Sequence, residues 1–188
     1  MIEFRKWPSI KRDNPLSCTI TEKIDGTNGC IVIEEGEIVG VQSRKRFITV
    51  EDDNFGFAQW VEDNKEDLLS LGDGYHYGEW AGEGIQKNPH AIVGRKFFLF
   101  NTIRWNRYNP NKPKCCDAVP ILYQDILEAT TIQECLDILV AVAGDTTPEG
   151  VVVFMHSSES LSKHTIKTPK GKWTSEKEKS IQEEESNP

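Results

Sequence analysis

The chain has 188 residues, of which 37% are hydrophobic, 22 are Lys or Arg and 30 are Asp or Glu, for a formal net charge of -8. This composition excludes collagen, coiled coil and intrinsic disorder as descriptions of the whole chain, and the length favours one domain. No apolar run approaches the ~20 residues of a spanning helix, and the N-terminal sequence lacks the apolar stretch of a signal peptide. Five cysteines without a Cys-x-x-Cys pair predict reduced thiols and no zinc site. We therefore expect a soluble, cytoplasmic protein without a membrane partner.

The positively charged residues are clustered, although the net charge of the chain is negative. Residues 174–188 contribute -3 through five Glu and two Lys, and this tail is predicted to be disordered. The basic residues of the body fall in three groups: Arg44, Lys45 and Arg46; Arg104, Arg107, Lys112 and Lys114; Lys163, Lys167, Lys170 and Lys172. These groups either line one groove or form three solvated surface patches, and the sequence leaves both interpretations open.

Short β-branched segments dominate the first part of the chain. Residues 19–22 are predicted to form a strand, and residues 29–34 and 37–42 a β-hairpin whose turn is Glu35-Gly36. Residues 54–69 are predicted to be helical. The first part therefore combines a hairpin with one helix.

The second part contains two near-continuous apolar runs. Residues 96–103 and 150–155 are predicted to be central strands of the core. Between them, residues 106–113 contain three Asn and two Pro and predict a loop. Residues 131–142 predict a helix, with Thr131 and Glu134 in a capping-box pattern.

One lysine lies where it could perform chemistry. Lys23 directly follows the first predicted strand and precedes an Asp25-Gly26 turn, which places its amine at the end of a strand, on the edge of a sheet. A neutral lysine amine can act as a nucleophile. Taken in isolation, the Lys-x-Asp-Gly pattern can also be interpreted as an exposed lysine in an ordinary β-turn.

The Lys23-x-Asp25-Gly26 element resembles motif I of the covalent nucleotidyltransferase superfamily, which comprises DNA ligases, RNA ligases and mRNA capping enzymes. Five further elements resemble the later motifs of that superfamily in the same order: Ser43-Arg44 (motif Ia), Tyr77-Gly78-Glu79-Trp80 (motif III), the run from Phe97 to Asn101 (motif IIIa), Glu149-Gly150 (motif IV) and Thr165-Ile166-Lys167 (motif V). The resemblance implies an α+β adenylation domain with central antiparallel sheets and flanking helices. It covers nearly all of a predicted domain of residues 1–173.

The residue five positions after the lysine favours RNA as substrate. DNA ligases usually carry Arg there, whereas this chain carries Asn28, as do the second phage-type RNA ligases and the RNA-editing ligases that it resembles. The resemblance thus implies an ATP-dependent RNA ligase, which joins a 5′-phosphate to a 3′-OH through lysyl-AMP. A non-catalytic module that binds nucleotides or RNA ends and a small ATP-dependent DNA ligase are the alternatives.

The resemblance also implies roles for individual residues. Lys23 is the implied nucleophile, and Lys167 the implied catalytic cation at the α-phosphate of ATP. Glu149 would hold Mg²⁺, with Mn²⁺ as an alternative. The remaining implied nucleotide contacts are Glu22, Ile24, Asn28, Arg44, Glu79 and Phe100. Phe100 would stack on adenine, Glu79 would accept hydrogen bonds from the ribose, and Arg44 would contact a phosphate. Asp25 either fixes the turn or lies near the nucleotide.

Three departures from the motifs affect the expected activity. Thr165 replaces the first lysine of the usual motif V, and Asn101 replaces the usual aspartate after Phe100. The chain also ends about twenty residues after motif V, where ligases usually continue into a further domain. We therefore expect either a minimal enzyme or part of a longer one.

Overall fold

The computed structural model describes residues 16–89, 91–106, 108–144 and 146–166. The strands of this part of the chain are β1 (Ser17–Glu22), β2 (Thr27–Glu34), β3 (Glu37–Ser43), β4 (Phe47–Ile48), β5 (Gly74–Gly82), β6 (Arg95–Leu99), β7 (Cys116–Ala118), β8 (Ile121–Ile126), β9 (Gly150–Met155) and β10 (Ser160–Thr165). The helices are α1 (Phe57–Asp63), α2 (Lys65–Leu68), a 3-10 turn (Leu69–Leu71) and α3 (Thr131–Val142). Two β-sheets with few helices give the predicted α+β fold.

The small sheet contains four antiparallel strands in the order β10-β9-β1-β8. Side chains alternate across such a sheet, so each of its faces has its own composition. One face packs against α3 through a buried apolar cluster: Cys18, Ile20, Val151, Val153, Cys135 and Leu139. Thr19, Thr21 and Val152 alternate with these residues along the strands, so they lie on the other face of the sheet, where they line a cleft.

The large sheet contains six strands in the order β4-β3-β2-β5-β6-β7, and only the β6–β7 pair is parallel. Its buried face packs against α1 through aromatic rings: the centroid of Phe57 lies 5.4 Å from that of Trp80 and 4.9 Å from that of Phe97. Two glycines leave room for these rings. A Cβ on Gly29 would lie 2.6 Å from the Phe57 ring, and one on Gly78 would lie 2.6 Å from the Phe97 ring.

The structure confirms the predicted hairpin, the helix over residues 131–142 and the strand over residues 150–155. The hairpin turn needs left-handed backbone at both central residues, and Glu35 and Gly36 have φ of 51° and 74°. Both of their amides donate to the Asp73 carboxylate. The segment 106–113 forms no helix or strand among its described residues.

Three local predictions were wrong. The strand predicted over residues 96–103 ends at Leu99, because the backbone turns at the next residues and the Trp105 amide donates to the Asn101 carbonyl at 2.7 Å. The helix predicted over residues 54–69 begins at Phe57 and is interrupted at Asn64, whose φ of -115° is not helical. The capping box is absent, because the Thr131 hydroxyl instead accepts the Glu128 amide at 3.0 Å.

No helix within the described residues is long and apolar enough to span a membrane. The predicted tail over residues 174–188 lies outside the described part of the chain.

Candidate active site

A cleft of about 700 Å³ lies between the small sheet and the outer face of the large sheet. The small sheet contributes Thr19, Thr21 and Val152, and β5 contributes Glu79. The segment 100–105, which follows β6, closes one side. The cleft therefore forms only when the two sheets come together.

Lys23 lies in this cleft at the end of β1. Its amide donates to the Gly150 carbonyl of β9 at 2.9 Å, and the preceding Glu22 amide donates to the carbonyl of Pro120, the residue before β8, at 2.9 Å, so the backbone is held on both sides. The Nζ atom is 2.5 Å from Oε1 of Glu149. These side chains are 22% and 31% exposed, which leaves the ion pair accessible to a ligand from the cleft.

The turn after Lys23 packs directly on β5. A Cβ on Gly26 would lie 2.5 Å from the Trp80 carbonyl oxygen and 2.9 Å from Cγ of Glu79, so glycine alone fits this approach. Strand β2 then pairs Asn28 with Glu79, and Nδ2 of Asn28 donates to Oε2 of Glu79 at 3.3 Å. The motif I turn and the motif III strand are thus one packed unit.

Acidic groups outnumber cations around Lys23. Burial raises the pKa of the Glu79 carboxyl to about 7; Lys23 acts against this rise, while Glu149 and Asp25 add to it. Asp25 also accepts the Lys87 amide at 3.3 Å. The carboxyl groups of Glu79, Glu149 and Asp25 therefore interact electrostatically with one another and with the Lys23 ammonium. A further cation would stabilise this group of charges.

The donor set suits a divalent cation that keeps much of its water. No group of three or more His, Cys, Asp or Glu within the described residues could hold a metal alone. Mg²⁺ and Mn²⁺ accept a site made of one or two carboxylates completed by phosphate oxygens and water. Glu149 can supply such a carboxylate beside Lys23, which lines the cleft.

The raised pKa of Glu79 predicts a pH-dependent stability. The folded protein holds this proton up to about pH 7, whereas an unfolded glutamic acid releases it near 4.5. The Glu79 contribution to the free energy of unfolding therefore falls between these pH values and is constant above them. We expect Glu79→Gln to be more stable than the wild type by roughly 1–3 kcal/mol at pH 8, and by less at pH 4.

Urea denaturation of both proteins at pH 4 and pH 8 measures this difference. Circular dichroism gives the midpoint and slope of each transition. An equal stability difference at the two pH values would contradict the predicted ionisation of Glu79.

The other predicted site residues fall into three groups. Glu22, Ile24, Arg44 and Phe100 line the same cleft as Lys23, Asn28 and Glu79. Phe100 is 42% exposed rather than packed in the core, and its amide donates to the Tyr77 carbonyl at 3.0 Å. Glu149 reaches the site through its ion pair with Lys23. Lys167 lies outside the described residues.

Several other residues that line the cleft were not predicted from the sequence. Tyr75 and Tyr77 point to the same side of β5 as Glu79, and their rings stack with centroids 6.2 Å apart. Arg104 lies with its guanidinium 4.5 Å from the centroid of the Trp105 ring and donates to the Leu71 carbonyl. A period of two counted back from Glu79 would have identified both tyrosines once β5 was recognised as a strand.

The two-sheet fold and the lysine in its cleft are consistent with a nucleotidyltransferase domain. A family model described as RNA ligase matches residues 17–168. The chain belongs to the RNA ligase family.

Solved structures of Naegleria gruberi RNA ligase are similar in fold. A mutant of that ligase with ATP and Mn has a TM-score of 0.58 and 22% identity, and the match covers 80% of this chain and 50% of that chain. The complex with PPi has a TM-score of 0.57 and 22% identity, and a mutant with AMP and Mn has 0.55 and 22%; both matches have the same coverage as the first. This chain thus spans about half the length of these ligases. No curated protein matches it.

Proposed function

We propose that this domain carries out ATP-dependent RNA ligation through a lysyl-AMP intermediate on Lys23. The position of the Lys23 amine carries the proposal: it lies in the cleft, 2.5 Å from the Glu149 carboxylate and in the same cleft as Glu79 and Phe100. Family membership supports an RNA substrate. The ATP, AMP and PPi named for the similar structures support a nucleotidyl transfer.

In the first step, the neutral Lys23 amine attacks the α-phosphorus of ATP. A P–N bond forms, the bond from the α-phosphorus to the bridging oxygen breaks, and pyrophosphate leaves with that oxygen. One proton must leave the ammonium before attack, and Glu149 is the nearest base to receive it. The second proton leaves the nitrogen as the phosphoramidate forms and passes to solvent. Alignment and charge neutralisation account for most of the catalysis of such transfers.

The cleft can bind each part of the nucleotide. Phe100 offers a partly exposed ring for the adenine, with Glu22 and Ile24 beside Lys23 to contact the base edge. Glu79 can hydrogen-bond the ribose hydroxyls. Arg44 suits a phosphate because its planar guanidinium donates two parallel hydrogen bonds. We further assign Lys167 to the α-phosphate.

Mg²⁺, or Mn²⁺ in its place, would neutralise developing charge on the phosphates when bound at Glu149. Asn28 keeps the Glu79 carboxyl in place through its side-chain amide. We therefore propose two functions for Glu149, whose carboxylate contacts the Lys23 amine and is 31% exposed.

Two further steps complete ligation. A 5′-phosphate oxygen attacks the lysyl-AMP phosphorus, the P–N bond breaks, and Lys23 regains a proton. A 3′-OH then attacks the 5′-phosphorus of the activated end and loses its proton to solvent, the bond from that phosphorus to the bridging oxygen breaks, AMP leaves with that oxygen, and the phosphodiester is formed. We propose that residues 1–173 contain the machinery for the first step and that the protein acts in the cytoplasm.

The proposal is tested by the fate of the two ends of ATP. Purified protein is incubated with Mg²⁺ and with ATP labelled either at the α- or at the γ-phosphate, then analysed on a denaturing gel and by intact mass. We expect label only from the α-phosphate and a mass gain of one AMP. The bond should be acid-labile and alkali-stable, as a phosphoramidate is.

The alternatives give different results in the same experiment. Nucleotide binding without covalent label would support the non-catalytic module. Covalent label followed by sealing of nicked DNA but not of nicked RNA would support a DNA ligase. Substrates that differ only in 2′-OH content make this comparison.

A further inference from the structure

The outer face of the large sheet carries an aromatic strip, which consists of Phe47, Tyr75 and Tyr77. Their exposed fractions are 65%, 55% and 56%. Singly exposed apolar residues are normal, whereas contiguous exposed apolar groups are typical of binding surfaces. The strip borders the cleft, since Tyr75 and Tyr77 also line it.

Strand register places the three rings on one face. Tyr77 pairs across β2 with Cys30, which pairs with Gln42, and Gln42 pairs with Phe47. Directly paired residues of antiparallel strands point to the same side. A Cβ on Gly40 would lie 2.8 Å from the Phe47 ring, so this glycine makes room for the ring to lie over β3.

The two tyrosine rings are nearly parallel. Their centroids are 6.2 Å apart and their planes differ by 18°. Both residues are slightly more than half exposed, which leaves surface available to a planar group. Aromatic rings on an open sheet face are the arrangement on which unpaired RNA bases stack in common RNA-binding modules.

The charges beside the strip favour a nucleic-acid strand over an apolar protein partner. The β3–β4 turn next to Phe47 is Arg44-Lys45-Arg46. Arg46 is held by Asp52 at 2.6 Å, whereas Arg44 lines the cleft. Phosphates that follow stacked bases toward Lys23 would therefore pass basic groups despite the net charge of -8.

We infer that the aromatic strip is a stacking platform for unpaired bases of the RNA strand whose end is delivered to Lys23. The inference rests on the proposed function for the identity of the strand. It adds a base-binding surface that precedes the nucleotide cleft and is built from β4 and β5. Because stacking does not depend on base identity, the platform binds RNA without sequence preference.

The test measures binding of a fluorescein-labelled, twelve-nucleotide single-stranded RNA with a 5′-OH by fluorescence anisotropy. We expect Tyr75→Ala/Tyr77→Ala to raise the Kd at least about fivefold, from the loss expected per stacked base. The Tyr75→Phe/Tyr77→Phe pair keeps the rings and should bind like the wild type. Tyr108→Ala removes a tyrosine that is 78% exposed in the loop after β6 and serves as the matched control.

A second ligand separates stacking from phosphate contacts. An oligomer with the same phosphates but abasic riboses should bind the wild type and the alanine pair equally. Equal RNA affinity of the wild type and the alanine pair, or an equal loss with Tyr108→Ala, would overturn the inference. Melting curves by circular dichroism show that each variant is folded.

Adenylylation is measured in parallel, so that the two proposals fail separately. RNA affinity should fall more than any loss of label from ATP in the alanine pair. A parallel loss of both would instead assign the tyrosines to the nucleotide site and overturn the platform. RNA binding through the tyrosines without any label from ATP would overturn the proposed function and leave the platform standing.

Discussion

Lys23→Arg is expected to reduce covalent labelling by ATP at least a thousandfold, to below detection. Arginine keeps a positive charge opposite Glu149, so the ion pair that Lys23 makes at 2.5 Å can be retained. The guanidinium does not lose its proton in proteins and therefore has no free electron pair with which to attack the α-phosphorus. The measurement is label from α-labelled ATP in a time course, with the site mapped by peptide mass.

Lys65→Arg is the matched control for this variant. Lys65 also forms an ion pair, with Glu37 at 2.9 Å, but it begins α2 and lies away from the cleft. The Lys65→Arg variant should be labelled like the wild type. Covalent label on Lys23→Arg, or a labelled peptide that lacks Lys23, would exclude Lys23 as the nucleophile.

Glu149→Gln is expected to slow formation of the adenylate about one hundredfold, the effect of removing one well-placed catalytic group. The glutamine oxygen can still accept a hydrogen bond from the Lys23 amine. It cannot receive the proton from that amine, and it is a poor ligand for Mg²⁺. Single-turnover labelling with a titration of Mg²⁺ measures both the rate and the metal requirement.

Glu134→Gln provides the comparison, because Glu134 lies exposed in the first turn of α3, on the helix that covers the opposite face of the small sheet. We expect the Glu134→Gln variant to form the adenylate at the rate of the wild type. Labelling of Glu149→Gln at the rate and metal concentration of the wild type would show that Glu149 has neither role.

Local sequence patterns were enough to predict part of this fold. The hairpin depends on Glu35-Gly36 with flanking β-branched residues, and the helix over residues 131–142 depends on apolar spacing, so neither needs distant information. Predictions failed where a distant contact or a local turn prevailed. Asn64 interrupts the predicted helix, and the chain turns after Leu99 although the apolar run continues.

Strand β5 shows why part of the site was missed. Its residues are 74–82, rich in glycine and aromatic groups, and they lack a simple apolar alternation. The strand is stable because Gly78 admits the Phe97 ring and Gly26 admits the Trp80 carbonyl, and both contacts join segments far apart in the chain. Without that strand, nothing in the sequence places Tyr75 and Tyr77 beside Glu79.

The ordered motifs determined the family and the identity of the candidate residues, because Lys23, Glu79 and Glu149 each stand in a recognisable local pattern. The tertiary structure sets their chemistry. It brings Glu149 to Lys23 across 126 positions of the chain, since β1 pairs with β9, and it buries Glu79 enough to raise its pKa to about 7. Distances and burial come from the packing of two sheets, which no local pattern records.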